Sequence, residues 1–199
     1  MSCQRSNDGK TRNVFSSKRL YNSILAAIGD KETLRVSCET SFLTQHYYPI
    51  QILITYKITT TNWAEKLTGS GYPARWNLNG TYVIYTASTR ALACLENLVH
   101  RSGEGLNQNF KITEIDIPDN CSMQIADHAT LPVHWYKTKN YPLCQRIGER
   151  WIQDGESLLM QVPSSIIRDT TNILINPNHQ EFSKVSVKNV IDFEFDERL

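Results

Sequence analysis

No run of apolar residues in this chain approaches the roughly 18 that a membrane-crossing helix requires. The longest, such as "YPIQILITY" from Tyr48, have the length of a strand. Charge of one sign is missing too: 21 lysines and arginines face 20 aspartates and glutamates, a net charge of +1. With no such field to follow, a phosphate backbone is not drawn in, and neither a membrane nor direct nucleic-acid binding is expected. The five cysteines, Cys3, Cys38, Cys94, Cys121 and Cys144, are odd in number and never spaced CxxC, and the N-terminus has no charged-then-apolar signal pattern. Both point to a reducing cytoplasm. Histidines are few: His128 and His134 lie six apart in "HATLPVH" with no cysteine beside them, so no metal site is expected. "TGSGYP" has GxG but no third glycine and no following helix, which excludes a dinucleotide fingerprint. Ser164, in "VPSSIIRD", stands outside any GxSxG elbow and without evident His and Asp partners, which argues against a serine hydrolase.

What is present suits one folded domain. A chain of 199 residues buries about 70% of its unfolded surface, so it needs neither disulfide nor metal to hold a core. Composition shifts near residue 46. Residues 1–46 read as an extension, unpatterned over its first fifteen residues and then helical, with Leu20, Tyr21, Ile24, Leu25 and Ile28 on one face between Ser17 as N-cap and Gly29 as stop. Such a helix either packs on the domain or binds a partner. Residues 47–199 read as the domain itself.

Within it, alternation predicts a strand over 51–58, and "TTNWAEKLTG" a short helix ending at Gly69. "TYVIYT" reads as a strand, "STRALACLENLVH" as a helix capped by Ser88, and "FKITEIDIP" as a strand. "PLCQRIGERWIQDG" reads as a helix between Pro142 and Gly155, and "SLLMQVP", "TNILIN" and "KVSVKNVIDFEF" as the last strands. Strands and helices do not alternate strictly, so the class is α+β, a compact mixed sheet with a few helices. Asn79-Gly80 is a strong hairpin signal. A three-residue loop, Leu78-Asn79-Gly80, pairs Arg75 with Val83 and puts Arg75 and Tyr85 on one face; a two-residue loop puts them on opposite faces. We expect the former. On the following helix, Glu96 sits at the margin of the arc formed by Ala91, Leu92, Leu95, Leu98 and Val99. Taken singly, each of these residues also fits an ordinary role: a surface cation, a strand aromatic, a glutamate turned to water, a turn serine.

Their order carries more. "TYKI" comes early, "ARWNLNGTYVIYTASTRALACLENLVH" in the middle, and "GERWIQDGESLLMQVPSSII", "NILINPNHQEF" and "FEFDERL" at the end. Over about residues 52 to 199 this series resembles the RES domain family, named for arginine, glutamate and serine. The resemblance implies a fold related to ADP-ribosyltransferases and a bacterial toxin of a toxin-antitoxin pair. It also implies a cognate antitoxin of Xre type, hence a hetero- or homo-oligomer, and NAD as substrate rather than cofactor, cleaved between nicotinamide and ribose. The family's catalytic arginine and glutamate fall on Arg75 and Glu96, and its NAD-binding positions on Tyr56, Lys57, Tyr85 and Ser164. Two positions depart from the family pattern: lysine stands at 57 in place of arginine, which keeps charge but loses the bidentate fork, and Pro73-Ala74 replaces a glycine pair. Water, phosphate or a protein remains open as acceptor, as does a binding protein with a degenerate site.

Overall fold

The computed structural model describes residues 52–100 and 109–198; the helix expected over 17–29 lies outside them. Among these residues seven strands form one sheet in the order β4-β5-β6-β2-β1-β3-β7. The strands are β1 (Ile52–Thr60), β2 (Ile84–Ala87), β3 (Phe110–Pro118), β4 (Met123–Ile125), β5 (Leu159–Pro163), β6 (Thr171–Ile175) and β7 (Ser186–Phe193). All neighbours are antiparallel except β4 and β5. The helices are α1 (Thr61–Ala64), α2 (Arg90–His100) and α3 (Tyr141–Asp154). This is the expected α+β class with a mixed sheet.

Alternation along the strands sorts side chains to two faces. Met160, Val162 and Leu174 point to one side, where α3 brings Cys144 and Trp151, and the loops bring Trp76 and Trp135. Leu159, Ile173 and Ile175 point to the other, with Ile84, Ile115 and Ile117. A third cluster, Ile58, Ala87, Leu92, Ala93, Phe110 and Ile112, lies under α2. Each buried aliphatic side chain contributes roughly 1.5–3 kcal/mol, so the sheet and its two longer helices hold together without a cross-link.

Four local expectations need correction. Helix α1 stops at Ala64, whose carbonyl accepts a buried bond from Thr113 Oγ1 at 2.7 Å, rather than running to Gly69. Gly69 instead meets the backbone of Val83, where a Cβ would come within 2.6 Å of the amide nitrogen. Thr89, not Ser88, caps α2: its hydroxyl accepts the Leu92 amide at 3.1 Å and its carbonyl the Ala93 amide at 3.0 Å. The strand expected over 81–86 occupies 84–87, so the run's first three residues belong to the preceding loop. Finally, Asn79-Gly80 makes a turn with Gly80 at φ 87°, but no hairpin ladder follows. Strand β2 pairs with β6 and at one point with β1, while residues 72–78 make only the bridge Ala74↔Asn77.

Candidate functional site

The site begins where two strands part. Strand β1 pairs with β3 along its whole length, from Ile52↔Pro118 to Thr60↔Phe110, yet with β2 only at Tyr56↔Ala87. Beyond that point the strands splay, and a cavity of about 380 Å³ opens between Lys57, Ile58 and Thr59 on one side and Tyr85 and Thr86 on the other. This lies toward the lower end of the roughly 300–1,000 Å³ of small-molecule sites. Asn97, on α2, donates to the Ile58 carbonyl at 3.1 Å, where the continued ladder would have offered a partner on β2.

Arg75 reaches this cavity from a loop built around its own neighbours. In "RWN" each residue has a distinct task. Trp76 is buried in the core beneath α3. The amide of buried Asn77 donates to the carbonyls of Tyr72, Leu78 and Thr81 at 2.8, 3.0 and 3.0 Å, and its Oδ1 accepts from the Tyr85 hydroxyl at 2.7 Å. Helix α3 holds the same loop from outside: Gln145 donates to the carbonyls of Ala74 and Asn77, and Glu149 accepts the Leu78 amide at 2.7 Å. Arg75 is left to project its guanidinium, 4.3 Å over the Tyr141 ring and 5.7 Å from the Trp135 ring centroid. One nitrogen, Nη1, donates to the Trp135 carbonyl at 2.9 Å. The cation is thus oriented by stacking on two aromatic faces.

Glu96 enters from α2 and turns inward rather than to water; of the expected apolar arc Leu92 is buried, but Ala91 and Val99 are exposed and the helix buries Ala93 in their place. Its Oε1 accepts from Ser164 Oγ at 2.9 Å and from Asn172 Nδ2 at 2.6 Å; Oε2 lies 3.6 Å from His100 Nε2. Burial pushes the Glu96 pKa upward, but the hydrogen bonds from His100, Asn172 and Ser164 outweigh it and hold the carboxyl below its ordinary value. It is a fixed, ionised carboxylate in a cleft.

The six residues singled out in the sequence therefore converge, five on the cavity wall and one behind it. Tyr56, Lys57, Arg75, Tyr85 and Glu96 line it. Ser164 is fully buried and acts on Glu96 and on its own loop, accepting the amides of Ile166 and Ile167 at 3.1 and 3.3 Å. Arg75 and Tyr85 share the cavity, though not through the expected pairing: the Tyr85 hydroxyl accepts the Trp76 amide at 3.1 Å and so anchors the arginine loop. Burial raises the Tyr85 pKa, keeping the phenol protonated. Lys57 Nζ donates to the Thr68 carbonyl at 3.3 Å, and burial lowers its pKa. Sequence reasoning passed over Asn97, Asn172, His100, Trp135 and Tyr141. Of these only His100, four residues after Glu96 on the helix, carried a local signal.

Comparison with known proteins follows the same segments. The family model described as "RES domain" matches residues 54–196. A protein of Sphingobium sp. (strain YBL2) named "Prs ADP-ribosylating toxin" is 36% identical over 141 residues, covering 68% of this chain and 88% of that one. "Toxin Res" of Photorhabdus laumondii is 33% identical over 152 residues, 74% of this chain and 97% of that one. Among solved structures, a chain from the crystal structure of the M. tuberculosis MbcT-MbcA toxin-antitoxin complex superposes with a TM-score of 0.61, covering 73% of this chain and 86% of that one. At 14% identity that likeness is one of fold alone. Since the model spans nearly every described element and the relatives are matched over almost their full length, this chain belongs to the RES domain family.

Proposed function

We propose that this chain is the toxin of a toxin-antitoxin pair and that it cleaves NAD between nicotinamide and ribose, with water or inorganic phosphate as acceptor. The observation that carries this reading is Glu96: one carboxylate, pinned through Oε1 by Ser164 and Asn172, in a cavity that also holds the Arg75 cation. Nicotinamide in NAD is a cation and departs neutral, so no acid is needed to protonate it, unlike the leaving group of an ordinary glycosidase with its two carboxylates. As the bond lengthens, positive charge grows on the ribose. A carboxylate already oriented and ionised stabilises that charge with no reorganisation, and one such group is worth on the order of 100-fold or more in rate. Arg75 and Lys57 hold the pyrophosphate, the Tyr85 ring flanks the ribose, and Ser164 keeps Glu96 in its rotamer.

The names of the relatives support the toxin assignment, and the neighbour's title supports an antitoxin partner. That partner is a cognate protein of Xre type, which reads DNA so that the toxin need not, and the setting is the cytoplasm. A second reading, transfer of ADP-ribose to a protein, is raised by the name "Prs ADP-ribosylating toxin" that one relative carries. One experiment separates the two. Purified protein is incubated with NAD carrying a label on the ADP-ribose, and free nicotinamide, soluble ADP-ribose or its phosphate, and labelled protein are measured. Nicotinamide with a soluble product is expected, and about 100-fold less from Glu96→Ala. No nicotinamide from the parent, with or without phosphate, refutes NAD cleavage; label on protein moves the assignment to a transferase.

A further inference from the structure

Lys57 lines the cavity without a counter-charge: among the described residues it enters no ion pair. Its ammonium spends one of three hydrogens on the Thr68 carbonyl, at 3.3 Å. The loop that offers this carbonyl continues as "TGSGY" and brings an exposed serine, Ser70, to the same cavity. Two residues span at most about 7 Å, so Ser70 and the lysine head share one end of it. Both neighbours of Ser70 must be glycine. Gly69 has the backbone of Val83 where a Cβ would stand, and Gly71 takes φ 72° with the Tyr82 ring 3.0 Å from its Cβ position. The Gly71 carbonyl then accepts the Gly80 amide at 2.8 Å, which ties this loop to the one carrying Arg75.

Ser70 is thus held in place, and its hydroxyl is only half used. Oγ accepts the Tyr72 amide at 3.3 Å, while its hydrogen has no acceptor among the described residues. We infer that Lys57 Nζ and Ser70 Oγ together seat one phosphate oxygen, and that Ser70 is a substrate-binding residue; this rests on the NAD reading above. A neutral acceptor would use the donors but leave the buried charge uncompensated, whereas an anionic oxygen does both. Burial lowers the Lys57 pKa, and an anion beside the ammonium opposes that effect. Lysine is a point charge without a directional fork. The Ser70 hydroxyl supplies the direction, fixed by the two glycines before any ligand arrives. The phosphate oxygen can belong to the pyrophosphate of NAD or to free inorganic phosphate as acceptor. Pyrophosphate is expected, since Arg75 lines the same cavity and the two phosphates offer an oxygen to each cation.

ADP-ribose keeps the pyrophosphate and has no nicotinamide bond to break, so binding can be measured apart from cleavage. Calorimetric titration of ADP-ribose, inorganic phosphate and adenosine is carried out on the full-length parent, Ser70→Ala and Ser70→Thr. Loss of a hydrogen bond to a charged group should weaken ADP-ribose about 10-fold in Ser70→Ala. Ser70→Thr, which keeps the hydroxyl, should bind within about 3-fold of the parent, and adenosine should not distinguish the three proteins. The same pattern with inorganic phosphate alone would assign the seat to the acceptor instead of the pyrophosphate. Parental affinity for both anions in Ser70→Ala, or an equal loss in Ser70→Ala and Ser70→Thr, would overturn the seat. Nicotinamide release by the parent tests the NAD reading separately: release with unaltered anion binding in Ser70→Ala sinks the seat alone, and no release sinks that reading whatever the titrations give.

Discussion

Helix α3 lies so close to the loop carrying Arg75 that one methyl group decides the fit. A Cβ on Gly148 would stand 1.8 Å from the carbonyl oxygen of Trp76 and 2.7 Å from its carbonyl carbon, against an ordinary contact of 3.4 Å or more. The loop would have to retreat by at least 1.6 Å, the difference between 3.4 and 1.8 Å. Helix propensity alone makes Gly148→Ala stabilising by about 1 kcal/mol. Against this stand the two bonds from Gln145 to the carbonyls of Ala74 and Asn77 and the bond from the Leu78 amide to Glu149, each worth about 1 kcal/mol. The balance is a destabilisation of about 2 kcal/mol, opposite in sign to the propensity term, or some 4–8 °C in Tm for a domain of this size. Arg75 moves with the loop, and a 1 Å misplacement costs on the order of 100-fold in catalysis. Thermal unfolding followed by circular dichroism, and nicotinamide release at subsaturating NAD, measure the two effects. A Gly148→Ala protein that melts at or above the parental temperature with parental kcat/KM would refute this account of how Arg75 is placed.

Tyr85→Phe should cost about 1–3 kcal/mol in urea unfolding, because Asn77 Oδ1 and the Trp76 amide both lose a partner in a partly buried place. Arg75→Lys keeps the charge but loses the fork and the flat stacking on Tyr141, so KM for NAD should rise with little change in Tm. Asn97→Ala strands the Ile58 carbonyl beside the cavity and should lower stability by about 1–3 kcal/mol. Acid unfolding should depend on Glu181, whose pKa is held down to about 2 by hydrogen bonds from Lys184 and then from the Ser122 hydroxyl and amide. The folded pKa lies below the ordinary 4.5, so the stabilisation is complete above that value and is lost as pH falls toward 2. Glu181→Gln should flatten the stability profile in this window, and an unchanged profile would refute the linkage.

Part of what is decided within a few residues is legible in the sequence, although the end of α1 and the cap of α2 are not. "FKITEIDIP" is a strand from its first residue to its last, and α3 ends at Gly155, in the left-handed region at φ 59°, because alternation and capping are decided within a few residues. The loop from 70 to 83 departs from the expected hairpin for the opposite reason. Asn79-Gly80 favours a turn, but whether a ladder follows depends on who else wants the flanking backbone. Here Tyr85 pairs with Leu174 of β6, and Asn77 satisfies three loop carbonyls by itself. The candidate site was legible only as a set in order, since the bond from Ser164 to Glu96 spans 68 residues and that from Asn172 to Glu96 spans 76. No spacing rule reaches that far.

The parted strands explain why this sheet can carry a site at all. Had β1 and β2 continued from Tyr56↔Ala87, Ile58 and Tyr85 would have faced each other and the space between them would have closed. Keeping them apart leaves backbone groups near the middle of the sheet in need of partners, and an unmet buried carbonyl is expensive. Side chains from outside the two strands supply what the ladder does not: Asn97 of α2 takes the Ile58 carbonyl, and its helical neighbour Glu96 is carried to the cavity by the same approach of helix to sheet. Seating the helix in this way both props the cleft open and delivers the carboxylate into it. A substitution that weakens the first function should therefore also displace the second, even though Asn97 need touch no substrate.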